Sequence, residues 1–293
     1  MTFNRDADIS GGKTSRRGRT AGIAIGGGGG LAVLAIVLIG QFLGVDLGGM
    51  LGGGGQPLAE DSSLEQCQTG QDANERIDCR MKGASASLEA YWTEAAPTIG
   101  LDYVGPQGFV LFDQAVATGC GNASSATGPF YCPPDQTIYI DTAFYDQLEQ
   151  RFGAQGGPLA EMYVVAHEWG HHIQNIGGVL DATRDGETGP DSNAVRVELQ
   201  ADCFAGAWAG AASSTEDPDG DPFLQPITPD EYRQAIDAAA AVGDDRIQEA
   251  TQGQVTPHTF SHGTSEQRQR WFAAGYDSGV SVCDTFGVAG SDL

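Results

Sequence analysis

Two histidines and a glutamate stand together in Ala166-His167-Glu168-Trp169-Gly170-His171-His172-Ile173-Gln174. In the spacing H-E-x-x-H, one helix offers two imidazoles to a zinc ion and a carboxylate to the water beside it. At about 100° per residue, His167 and His171 lie roughly 40° apart on the helix, with Glu168 on a similar side. With five histidines in 293 residues, chance produces this spacing in about 0.4% of chains. A catalytic zinc takes three protein donors and keeps an open position. Continuing the motif to H-E-x-x-H-x-x-G-x-x-H would supply a third histidine, but Gln174 and Gly177 occupy the Gly and His positions, which excludes that class.

The third donor is therefore sought on a later helix, and Glu198 in Glu198-Leu-Gln-Ala-Asp202 is the source. Asp202 lies one turn on and about 40° round, placed to accept the outer N–H of a ligand histidine. Val195, Val197, Leu199 and Phe204 are apolar, and Ala205-Gly-Ala207 permits close helix approach, so this helix reads as buried. A buried acid pair without a cation would be costly. His172, about 100° round from His171, is not read as a ligand, and Gln174 and Asn175 receive no role. His262, in His262-Gly-Thr-Ser-Glu-Gln-Arg268, either donates to a developing oxyanion or braces its loop. Tyr163 and Tyr139 are weaker donor candidates. Arg268 reads equally as an ion-pair partner and as a carboxylate binder.

The elements that must position these residues are mostly helical. Helical spacing or capping predicts helices over 85–95, 144–152, 159–176, 194–212, 229–242 and 265–276. Thr228 with Glu231, and Thr264 with Gln267, make capping boxes for the last two. Residues 109–112 and 137–141 are β-branched and aromatic, hence strands. The second, shortly before the motif helix, is placed to wall a cleft and pair its edge with an extended peptide. Residues 177–193 form a polar loop, and the acidic run 216–221 reads as a solvated turn rather than a calcium loop. The fold class is α+β, mostly helical with a small sheet.

The formal charge of −24 is uneven. Residues 1–20 carry five basic residues and two acids, leaving the rest with 10 of the 15 basic and 37 of the 39 acidic residues. So acidic a body excludes broad binding to nucleic acid or anionic lipid. Residues 1–20 read as a disordered cytoplasmic tail, 21–43 as a transmembrane helix, 44–61 as a Gly-rich linker and 62–293 as the extracytoplasmic domain. The uncharged run 22–43 would reach about 33 Å as a helix, enough to cross a hydrocarbon core. A cleaved signal peptide is the rival reading, but no short apolar core with a small-residue cleavage site stands out. Basic residues before the span put the N-terminus in the cytoplasm. All six cysteines follow it, an even number suited to disulfides in an oxidising compartment. Local pairing suggests Cys67–Cys79 and Cys120–Cys132, leaving Cys203–Cys283.

The chain resembles the bacterial neutral zinc metallopeptidases of the YpfJ type, membrane-anchored proteins of the zincin class. The resemblance runs from Cys79-Arg-Met-Lys82 through Tyr131-Cys-Pro133, Ile138-Tyr-Ile-Asp141 and the H-E-x-x-H-H-x-Q block. It continues through Glu198-Leu-Gln-Ala-Asp-Cys-Phe-Ala-Gly206, Gly243-Asp-Asp-Arg-Ile-Gln248 and residues 262–268. It implies a zincin-like α+β core, zinc on His167, His171 and Glu198, and Glu168 as acid/base. Residues and resemblance together point to a single-pass, membrane-tethered zinc peptidase acting outside the cytoplasm on a peptide or protein substrate. Glu168 would move the proton of the attacking water, with His262 helping to hold the oxyanion. A surface zinc scaffold without turnover, and an amidase acting on a cell-wall amide, are the alternatives.

Overall fold

A computed structural model describes residues 2–17 and 62–293. In chain order, strand β1 is Thr14–Arg17, and helices α1 (Gly70–Glu75) and α2 (Ile77–Ala95) follow a 3-10 turn at Ser62–Gln66. Next come β2 (Gly108–Phe112), β3 (Ala115–Thr118), β4 (Gly121–Ser124), β5 (Phe130–Cys132) and β6 (Thr137–Asp141). The rest is helical: α3 (Ala143–Phe152), α4 (Pro158–Ile176), α5 (Val179–Ala182) and α6 (Asn193–Ala211), then α7 (Pro229–Ala241), α8 (Asp244–Gln252) and α9 (Ser265–Ser278). A mostly helical chain with a small sheet is the α+β class expected.

One sheet has the order β1-β2-β6-β5, with β1, β2 and β6 parallel and β5 antiparallel at the edge. The expected strand at 137–141 is thus interior, and the edge beside the motif helix belongs to β5. A separate hairpin pairs β3 with β4. Beside the sheet, α4 and α6 are apolar on most of their circumference and take the centre of the core. Pro158 opens α4, where its missing N–H costs nothing. Both expected capping boxes form, on α7 and α9.

Small residues set the helix spacing. A Cβ on Gly206 of α6 would sit 2.0 Å from the Phe272 carbonyl oxygen, and one on Gly275 of α9 2.0 Å from that of Cys203. Within the motif, a Cβ on Gly170 would lie 3.0 Å from the Ala201 Cα, so this glycine lets α4 approach α6. The disulfides are Cys67–Cys79, Cys120–Cys132 and Cys203–Cys283, the pairings expected.

One expectation is overturned. Residues 2–17 are no disordered tail and are not separated from the domain: Phe3, Ala7 and Ile9 are fully buried in its core, and β1 extends its sheet. Polar composition hid three well-spaced apolar residues that neighbouring elements cover. The 216–221 turn also does more than face solvent. Asp217 is buried and accepts backbone N–H groups from Asp219, Asp221 and Asp8. The expected span 21–43 and linker 44–61 lie outside the described residues. Among the described residues no helix is long and apolar enough to cross a membrane.

Candidate metal centre

Helices α4 and α6 bring His167, His171 and Glu198 together, with one donor atom from each within 4.8 Å of the others. His167 Nε2 lies 3.2 Å from Glu198 Oε2, and His171 Nε2 3.4 Å from Glu198 Oε1. Nitrogen and oxygen donors on one tetrahedral zinc stand about 3.3 Å apart. The charges also fit a divalent cation. Glu168, Glu198, Asp202 and Asp244 are buried carboxylates with Arg268 as a buried guanidinium, so the remaining charge falls to the imidazoles or to a cation. Buried charge of one sign needs a counter-ion.

Both imidazoles are fixed through their outer nitrogens, which turns Nε2 of each toward Glu198. His167 Nδ1 is 2.9 Å from Asp202 Oδ1. Asp202 also accepts from Tyr163 Oη at 2.5 Å and from Arg268 through Nε at 2.8 Å and Nη2 at 3.0 Å. Burial alone would raise the Asp202 pKa, but Arg268 and His167 hold it below the carboxylate range. Burial likewise disfavours a charged His167, yet Asp202 and Glu198 lift its pKa to about 10 without a metal. For His171 the outer partner is neutral: Nδ1 is 2.8 Å from Gln174 Oε1. Gln174 donates to the Val197 carbonyl at 2.7 Å and to Gln200 Oε1 at 3.1 Å, and Gln200 donates to the Cys283 carbonyl at 2.9 Å. A chain of hydrogen bonds thus runs from His171 to the Cys203–Cys283 disulfide.

Glu168 is buried beside the two histidines, near the Tyr131 backbone of edge strand β5. Burial pushes its pKa up, which suits a carboxylate that must take a proton and give it back. His262 arrives on the turn before α9. Its Nδ1 is 3.1 Å from Asp244 Oδ1, and the backbone N–H groups of Ser261, His262 and Gly263 all donate to Asp244 Oδ2. The ring stands close enough to the centre for its charge to lower the Glu198 pKa.

Other residues named from the sequence fall elsewhere. Tyr139 donates to Asp135, and Tyr163 is held by Asp202 and Arg268, so neither hydroxyl serves as an oxyanion donor. Arg268 is an ion-pair partner. His172 joins Tyr131 and the Val104 carbonyl, which anchors the 101–107 loop. Gln174 and Asp244 escaped the reading. Gln174 stands three residues after His171, on the same face, which was an available signal. Asp244 carried none besides its place in the Gly243-Asp-Asp block.

An H-E-x-x-H helix completed by a glutamate from a second helix is the donor set of a zinc-dependent hydrolase. The chain belongs to the family described as "Putative neutral zinc metallopeptidase", which it matches over residues 3–286. It is 48% identical over 257 residues to an uncharacterized protein of Mycobacterium tuberculosis, covering 85% of each chain. It is 38% identical over 267 residues to the uncharacterized protein YpfJ of Escherichia coli K12, covering 89% of this chain and 88% of that one. No solved structure matches it.

Proposed function

We propose that the protein is a zinc metallopeptidase working outside the cytoplasm and held at the cell membrane by the apolar run 21–43. The observation that carries the chemistry is the meeting of His167, His171 and Glu198 with buried Glu168 at their side. Zinc held by the three donors would supply Lewis acidity and lower the pKa of a water. Glu168 accepts that water's proton and returns it to the leaving amine, a task its raised pKa suits. His262, oriented by Asp244, donates from Nε2 to the developing oxyanion. The outer edge of β5 lies beside Glu168, where an extended peptide can add as a further strand. Three disulfides support an oxidising compartment.

The test is digestion of a broad peptide library with and without a chelator, alongside metal analysis. Glu168→Gln is expected to keep its zinc and lose about 10²–10⁴-fold in rate. Full activity in that variant would remove Glu168 from the mechanism. Zinc binding with no chelator-sensitive cleavage by the unaltered protein would instead leave a surface scaffold.

A further inference from the structure

The contact between residues 2–17 and the domain is built from both sides. Phe3 and Ile9 fill the space left by Gly83 of α2, where a Cβ would lie 2.8 Å from the Phe3 ring and 3.3 Å from Ile9 Cγ2. A Cβ on Gly70 would lie 1.8 Å from the Asn4 carbonyl oxygen, and one on Gly12 2.3 Å from that of Lys82. Asn74 exchanges hydrogen bonds with the backbone of Phe3, and Asp217 accepts the Asp8 N–H. Two of the basic residues that would mark a cytoplasmic flank are used here. Lys13 pairs with Glu89 at 3.3 Å and Arg16 with Asp78 at 3.5 Å. The family match likewise begins at residue 3.

A helix crossing the bilayer once puts its two flanks on opposite faces, about 30 Å apart. A strand hydrogen-bonded to β2 along its length cannot be there. The intervening sequence is also poor for a span. Gly26–Gly30 interrupts it, and the more apolar part, residues 31–43 with Gln41 inside, has a length found in interfacial segments, whereas crossing takes about 20 residues. We propose that residues 2–17 and 62–293 occupy the same face of the membrane, and that the apolar run between them engages the bilayer from that face without crossing it. The inference is independent of the zinc chemistry.

All six cysteines are paired, so one introduced thiol can be read without background. The full chain would carry either Ser10→Cys or Ala182→Cys, both at exposed positions. Each would be treated with a membrane-impermeant maleimide in intact spheroplasts, then after permeabilisation, and scored in the membrane fraction. Equal labelling of the two before permeabilisation is expected. Protection of Ser10→Cys alone would overturn the proposal, as would absence of the chain from the membrane fraction. Protection of both would uphold the shared face and overturn only the extracytoplasmic placement. A Thr14→Cys/Ser85→Cys pair, whose native hydroxyls are 3.0 Å apart, checks docking directly. With a protease site inserted between residues 44 and 61, the cut fragments should stay joined until reduced, and their separation without reductant would contradict the docking.

Discussion

The imidazole of His262 meets two demands at once. Burial disfavours its charge, but Asp244 and then Glu198 raise its pKa above the usual imidazole value. With a protonated His262 as the proposed oxyanion donor, activity should be present below that raised pKa and lost as pH climbs through it. His262→Ala should lower kcat/KM by about 10²–10³-fold. Asp244→Asn removes the first of the raising charges and should move the alkaline limb of the pH–kcat/KM profile to lower pH. An unmoved limb would reduce Asp244 to a brace of its turn. Gln174 acts on the other side of the centre. Losing its carbonyl frees the outer nitrogen of His171, so Gln174→Ala should weaken zinc binding about 10–100-fold, as read by competition with a chromophoric chelator.

Two helix contacts carry the centre at the level of elements. α4 brings His167, Glu168 and His171, α6 brings Glu198 and Asp202, and α9 brings Arg268 to hold Asp202. The α6–α9 contact has no room for a methyl group at Gly275, where the nearest atom is backbone and cannot rotate away. Gly275→Ala should therefore cost at least about 1–3 kcal/mol, read as a lower denaturation midpoint. It should weaken zinc binding too, because displaced Arg268 no longer holds Asp202 against His167. An unchanged midpoint would mean that α9 can shift without cost. Sequence showed these helices through their periodicity and caps. It did not show β1, β5 or α8, which are short or polar and owe their form to the elements that cover them.

At the scale of the whole molecule the centre is a cluster of buried carboxylates and imidazoles enclosed by helices. Without a metal the carboxylates rely on Arg268 and on a His167 whose pKa is lifted to about 10, whereas a bound zinc would meet their charge directly. Stability should therefore depend on metal: with free zinc at about 1,000 times Kd, binding contributes about 4 kcal/mol. Chelation should accordingly lower Tm, and refilling with zinc should restore it. A Tm indifferent to chelator would mean the three donors hold no structural metal.

The sequence alone determined the three candidate donors, Asp202 beside them, the three disulfides and the helical frame. Most follow from local rules: donor spacing on a 3.6-residue helix, capping chemistry, and pairing of cysteines near in the chain, which leaves Cys203–Cys283 by elimination. Asp244 behind His262, Gln174 behind His171, β5 beside Glu168 and the docking of residues 2–17 were decided only by tertiary structure. Asp244 precedes its partner by 18 residues and Phe3 precedes Gly83 by 80. No periodicity or composition records which distant surfaces close over one another. The H-E-x-x-H segment thus offered two candidate donors, while the packing of α4 against α6, allowed by Gly170, brings Glu198 to them as the third.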